Sequence, residues 1–244
     1  MAEPTRYFFV HLQKTGGTAL FQRLRDHFGA AAVYPTPDDH GNVRAVTEVA
    51  HLVEQFQAQR DTIQVVTGHF PLCMIEVLDA PFTTFTILRD PVERTLSLLR
   101  RRKVAEDRFH GVPLETVYEH PQLEPIIRNH MVKMLSLTPD EMGPTPLTTP
   151  VTFDAARLER AKHNLTTIDV VGLQEQFDAA CAELSRRFGW DLGPPRFANR
   201  TAPEPVADAL RERIAADNAH DVELHRFAVD LVAQRQAQGD AVRG

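Results

Sequence analysis

The sequence predicts an α/β fold, a parallel sheet flanked by helices with a C-terminal half that is rich in helix. Short apolar runs at residues 7–12, 63–67 and 83–88 are typical of buried strands, and helical patterns at residues 18–28, 43–59 and 91–105 alternate with them. Strands that alternate with helices pair in parallel and carry helices on both faces of the sheet. The second half adds one strand at residues 167–173 and four helical patterns, at residues 122–137, 154–164, 174–188 and 205–236.

The first strand leads into a glycine loop, Gln13-Lys14-Thr15-Gly16-Gly17-Thr18, and then into a helix predicted at residues 18–28. A strand, a glycine loop and a helix N-terminus in this order form an anion site, because free backbone N–H groups point at the ligand. The loop is P-loop-like, but Lys14 precedes the glycines instead of following them, so the nucleoside-triphosphate pattern fails. We therefore predict a phosphorylated nucleotide here; the alternative is an ordinary turn with a solvated Lys14.

A second informative segment, residues 84–97, contains the start of a helix. Asp90 suits the N-cap, Pro91 the first helical position, and Glu93 the acidic position of a capping box. A helix is therefore predicted from Pro91 to about Ala105, and these three residues have a structural explanation.

Three further residues of this segment have no such explanation. Arg94 and Ser97 share one helix face, and Arg89 lies at the strand end beneath it. Two guanidinium groups and a hydroxyl that converge would bind a second phosphate. For Arg94 the alternative is a solvated side chain that pairs with Asp90.

Ligands of parallel sheets bind at the carboxyl ends of the strands. This rule places Lys14, His69 and Arg89 at one edge, although they are far apart in the sequence.

The loop H-L-Q-K-T-G-G-T and the segment L-R-D-P-V-E-R-T-L-S resemble the two cofactor-binding segments of sulfotransferases that use 3′-phosphoadenosine 5′-phosphosulfate (PAPS). The likeness is strongest to the carbohydrate-type branch, which includes the heparan and chondroitin sulfotransferases. Weaker matches follow at residues 67–71, 129–135, 171–178, 199–201 and 217–224. The resemblance implies one sulfotransferase domain over residues 1–244, with adenosine 3′,5′-bisphosphate (PAP) as a product and no metal.

The resemblance also implies roles for individual residues. Lys14 would stabilise the leaving phosphate, Arg89 and Ser97 would bind the 3′-phosphate, and Arg94 would assist them. The 5′-phosphate would lie on the start of the first helix, held by Thr15, Gly16, Gly17, Thr18 and Ala19. Arg200 and Thr201 fall in the family's late cofactor-side loop, although a surface loop explains them nearly as well.

The predicted general base is His69, which follows a strand end and a glycine in the segment T-G-H-F-P. Histidine is the side chain most often used in this role. A structural histidine is the alternative, in which case Glu76, Glu93 or His11 would be the base.

Composition narrows the function classes. A net charge of −6 argues against a broad nucleic-acid surface. Cys73 and Cys181 give neither a disulfide framework nor a metal-ligand spacing. The sequence has no signal-peptide pattern and no apolar run of the roughly 18 residues that a membrane span needs, so we expect a cytoplasmic, bacterial protein.

These observations predict sulfuryl transfer to a hydroxyl of a carbohydrate or glycolipid acceptor. The basic run 100–103 would be a solvated helix end or, alternatively, would attract an acidic acceptor. Two other functions stay open: a small-molecule kinase, which needs an acid that holds magnesium, and a non-catalytic protein that binds a nucleotide or glycan.

Overall fold

A computed structural model describes residues 5–194 and 205–241 of the chain. Its strands are β1 (Arg6–Val10), β2 (Val33–Tyr34), β3 (Val65–Val66), β4 (Phe82–Leu88) and β5 (Val170–Leu173). They form one sheet in the order β2-β3-β1-β4-β5, and every neighbouring pair is parallel. The predicted α/β class with a parallel sheet is therefore confirmed.

Helices account for most of the remaining described chain. They are α1 (Gly17–Phe28), α2 (Arg44–Thr47), α3 (Val49–Ala58), α4 (Met74–Val77), α5 (Pro91–Ala105), α6 (Leu114–Tyr118), α7 (Glu124–Ile127), α8 (His130–Ser136), α9 (Ala155–Thr167), α10 (Phe177–Phe188), α11 (Asp208–Asp217) and α12 (Ala219–Ala241). Among the described residues, none of these helices combines the length and the apolar character that crossing a bilayer requires.

Side chains of β1 alternate between the two faces of the sheet, as the period of a strand demands. Phe8 and Val10 belong to a large core cluster that also includes residues of α3, α5, α8 and α9. Phe9 belongs to a second cluster, together with Leu20 of α1 and Leu184 of α10. Burial on both faces explains why the strand reads as a continuous apolar run.

The structure divides three helices that were predicted to be continuous. The pattern at residues 122–137 forms α7 and α8, and Asn129 between them has φ +39°, which the helical conformation excludes. The patterns at residues 43–59 and 205–236 likewise form α2 with α3 and α11 with α12. The two-residue strand β2 was not predicted, because it follows three alanines and is too short to show a period.

Candidate active site

The carboxyl ends of three adjacent strands bring the predicted residues together. Strand β1 lies between β3 and β4, and Lys14, His69 and Arg89 follow these three strands. The guanidinium Nη1 of Arg89 donates to the carbonyl oxygen of Lys14 at 3.0 Å. The ring Nδ1 of His69 lies 3.2 Å from the carbonyl oxygen of His11. The edge rule therefore predicted the correct grouping, with hydrogen bonds that join all three segments.

Hydrogen bonds fix the glycine loop without using its central amides. The N–H of Gln13 donates to Nε2 of His130 at 3.1 Å, and the hydroxyl of Thr15 donates to the carbonyl of Leu12 at 2.9 Å. Lys14 and Gly16 have φ of +68° and +89°. Within the described chain the N–H groups of residues 14–18 have no hydrogen-bond partner. Successive free amides of this kind form an anion-binding concavity.

Two glycines let other elements approach the loop closely. A Cβ on Gly17 would lie 1.8 Å from Nε2 of His11, and a Cβ on Gly16 would lie 2.9 Å from the Phe177 ring. The first contact seats the His11 ring against the start of α1. The second packs α10 against the loop. Both positions therefore exclude a side chain for steric reasons.

Lys14 lies among other cations. Burial lowers its pKa, and the charges of Arg101 and Arg89 lower the pKa further. Arg101 belongs to the basic run at residues 100–103, and the members of this run differ in their surroundings. Arg102 forms an ion pair with Glu106 at 2.7 Å, as a solvated helix end would, whereas Arg101 acts on Lys14. An anion bound at the loop would relieve this repulsion.

Arg89 keeps part of its donor capacity free. Its Nε is buried and has no hydrogen-bond partner among the described residues. Burial lowers the pKa of Arg89, while the carboxylates of Glu93, Glu175 and Asp90 oppose that shift. A buried donor without a partner is costly, and a phosphate oxygen would satisfy it. Ser97, also expected here, is half-buried on α5.

The cap of α5 confirms one expectation and corrects another. Asp90 accepts a hydrogen bond from the N–H of Glu93 at 2.9 Å, so it is the N-cap. The carboxylate that accepts from the Asp90 N–H, at 2.8 Å, belongs to Glu175. Glu93 forms an ion pair with Arg211 instead. The predicted capping box is therefore wrong, since a distant acid takes the place of Glu93.

Arg94 lies in the interior of the protein. It has no exposed surface, and its Nη2 donates to the carbonyl of Ile127 at 2.9 Å. Burial lowers its pKa to about 10, although the charge of Asp221 opposes the shift. The alternative of a solvated Arg94 paired with Asp90 is wrong. The reason is that α7 packs over this face of α5 and offers a carbonyl.

The remaining loop residues differ in what they could offer a ligand. Thr18 is exposed at the start of α1, whereas the N–H of Ala19 already donates to the carbonyl of Gly16 at 3.1 Å. The Ala19 amide is thus not among the free donors. Arg200 and Thr201 lie outside the described residues.

Three histidines meet behind the loop. The rings of His11 and His69 lie 4.7 Å apart, centroid to centroid, and each of these histidines lowers the pKa of His130. Burial is the main cause of the lowered pKa of all three, and the charge of Lys14 contributes for His11 and His69. They are therefore neutral at pH 7, a state in which an imidazole can accept a proton.

The hydrogen bond of His69 fixes its tautomer. A carbonyl oxygen can only accept, so Nδ1 of His69 carries the proton that it donates to His11. The lone pair is then on Nε2, as a general base requires. Of the alternatives, Glu76 is exposed on α4 and Glu93 is paired with Arg211.

His130 was missed as a site residue. It is fully buried at the start of α8 and accepts from the loop through Nε2. No local signal distinguishes it, because the contact spans 117 residues of sequence.

The described residues contain no group of three or more His, Cys, Asp or Glu side chains that could hold a metal ion.

No family model matches the sequence, and no curated protein matches it. Among solved structures, a sulfotransferase from Alicyclobacillus acidocaldarius is similar, with a TM-score of 0.50 and 16% sequence identity. The match covers 91% of this chain and 94% of that chain. The described chain thus has a sulfotransferase-like α/β fold.

Proposed function

We propose that this protein is a sulfotransferase that moves a sulfuryl group from PAPS to a hydroxyl of a carbohydrate or glycolipid. The observation that carries the proposal is the loop at residues 14–18, whose N–H groups have no partner in the described chain and which Arg89 joins to the second phosphate segment. The fold of the Alicyclobacillus sulfotransferase supports the same reaction class. We further propose that residues 1–244 act as one cytoplasmic domain.

The residues present fit PAPS at both of its charged ends. The free amides of residues 14–18 suit the 5′-phosphate, and the unpartnered Nε of Arg89, with Ser97, suits the 3′-phosphate. When bound, PAPS supplies the sulfuryl group: an S–O bond to the acceptor oxygen forms as the bond to the phosphate oxygen breaks. Lys14 would stabilise the negative charge that the leaving phosphate gains. This stabilisation is stronger where water is excluded, and Lys14 is already half-buried.

His69 would take the proton of the acceptor hydroxyl at Nε2. Its Nδ1–H stays on the His11 carbonyl during this step, so the ring does not need to turn. Burial is the main cause of the lowered pKa of His69, and the positive charge of Lys14 lowers that pKa further. Proton release after the reaction is therefore favoured.

Calorimetry with PAP in the absence of magnesium tests the proposal. We expect binding of PAP without a metal, and transfer of sulfate from radiolabelled PAPS to at least one member of a panel of sugars and glycolipids. Binding of ATP that requires magnesium, without binding of PAP, would instead identify a kinase. Binding of PAP without transfer to any acceptor would favour a non-catalytic protein.

A further inference from the structure

We propose that His130 is a positioning residue, which holds the loop in its anion-binding conformation through the Gln13 N–H, and that Asp221 holds the helix start that carries His130. This inference rests on the proposed function, because it concerns the same loop. It assigns a role in nucleotide binding to two helices, α8 and α12, that contribute none of the predicted ligand contacts.

The contact lies directly before the strained part of the loop. Gln13 donates to Nε2 of His130 at 3.1 Å, and the next residue, Lys14, has φ +68°. A lysine pays a conformational penalty in this region, so neighbouring contacts must hold the backbone there. The Arg89 guanidinium on the Lys14 carbonyl is the contact on the other side. With both contacts in place, the backbone that carries the unpartnered amides of residues 14–18 is held in its present conformation.

A buried frame fixes the position of His130. The carboxylate of Asp221 accepts from the N–H groups of Met131 at 3.0 Å and Val132 at 2.8 Å, at the start of α8. The side chain of Asn129 accepts from the Asp221 N–H at 3.1 Å, and the side chain of Asn218 accepts from the Asn129 N–H at 2.8 Å. These reciprocal bonds join α12 to the first turn of α8, which carries His130.

The second ring nitrogen of His130 argues against a role in stability alone. Because Nε2 accepts from Gln13, the proton is on Nδ1, which is buried and has no partner among the described residues. An unsatisfied buried donor lowers the stability of the folded protein. An apolar side chain would avoid this cost but could not hold the Gln13 amide. The histidine is therefore suited to the loop contact.

Two substitutions test the hydrogen bond to Gln13 independently of the size of the side chain. His130→Phe keeps a buried ring but removes the acceptor, and His130→Gln returns an acceptor oxygen at the end of a flexible chain. We expect His130→Phe to weaken PAP binding at least tenfold in calorimetry and to speed hydrogen exchange of the Gln13 amide. His130→Gln should recover most of both. Asp221→Asn, which keeps only one acceptor oxygen, should lie between them and serves if His130→Phe does not fold.

Asn164→Ala is the matched control. The Asn164 side chain donates to the carbonyl of Leu135 at 2.8 Å, near the other end of α8. The substitution therefore loosens the same helix without changing a contact of the loop. We expect it to lower the free energy of unfolding while PAP affinity stays within twofold. PAP affinity as strong in His130→Phe as in the wild type would overturn the inference. A wild-type protein that does not bind PAP would overturn the proposed function, and slow exchange of its Gln13 amide would still show that the contact exists.

Discussion

The guanidinium of Arg89 donates to the carbonyl oxygen of Lys14 at 3.0 Å, across the parallel pair of β1 and β4. This bond joins the two segments that the sequence predicts to bind the two phosphates of one nucleotide. It uses one nitrogen of Arg89 and leaves the buried Nε without a partner in the described chain. If both segments bind phosphate as we propose, a change in one should affect the other through this bond.

Lys14→Ala should lower kcat by roughly 10²–10³, the usual effect of removing one group that stabilises developing charge. The free energy of unfolding should change little, since alanine meets the same backbone strain as lysine at φ +68°. Initial rates with saturating PAPS and a denaturant titration measure the two effects. Lys162→Ala is the control, because Lys162 pairs with Glu159 and Glu223 far from the loop in sequence. Normal turnover in Lys14→Ala would remove Lys14 from the mechanism.

Arg89→Ala should reduce the preference for PAP over adenosine 5′-monophosphate, which lacks the 3′-phosphate. A hydrogen bond to a charged group contributes about 1.5–3 kcal/mol, so PAP affinity should fall by roughly 10- to 150-fold. Affinity for the monophosphate should fall less, through the lost bond to Lys14. Calorimetry with both nucleotides gives the ratio. An unchanged ratio would reject the 3′-phosphate role.

His69→Asn keeps an N–H donor for the His11 carbonyl but removes the basic nitrogen. We expect kcat to fall by roughly 10²–10⁴, the usual contribution of a general base, with PAP affinity unchanged. In the wild type, log kcat/KM should decline with falling pH only below 6.5, because the pKa of His69 lies below that ordinary value. An asparagine variant with substantial activity would mean that another group is the base.

The free energy of unfolding should fall as the pH drops below about 6.5. His11, His69 and His130 have lowered pKa values in the folded protein, so below 6.5 the unfolded chain binds more protons. Between its folded and unfolded pKa, each histidine adds at most about 1.4 kcal/mol per pH unit to the slope, and this histidine contribution fades above pH 7. Urea titrations between pH 5 and 8 measure it. His69→Asn should reduce the slope, and an equal slope in that variant would contradict the assignment.

Gly17→Ala should destabilise the protein by about 1–3 kcal/mol, the usual cost of overpacking a filled site. The new methyl group would collide with the His11 ring, which a Cβ would approach to 1.8 Å. PAP binding should weaken as well, because α1 would have to move. Gly239→Ala in α12 meets no atom within 4 Å and should be neutral or slightly stabilising. Equal thermal midpoints for the two variants would show that the His11 contact is unimportant.

Local patterns were sufficient to predict the position of the sheet edge. Apolar runs marked β1, β3 and β4, and parallel pairing then placed Lys14, His69 and Arg89 together. Asp90 could be recognised as the N-cap of α5 because its hydrogen-bond partner, Glu93, is only three residues away in the sequence.

Contacts between distant segments were beyond local patterns. Asn129 interrupts a predicted helix because its backbone N–H bonds to Asn218, 89 residues away. The burial of Arg94 depends on α7, and the hydrogen bond of His130 is made with a loop 117 residues earlier in the chain. Periodicity describes one element at a time and cannot indicate which polar group another element will supply.

A crystal structure with PAP bound tests the central claim most directly. We expect the 5′-phosphate on the backbone amides of residues 14–18, near Lys14, and the 3′-phosphate against Arg89 and Ser97. A nucleotide bound elsewhere, or a crystal soaked at high concentration that contains none, would contradict the proposed sulfotransferase.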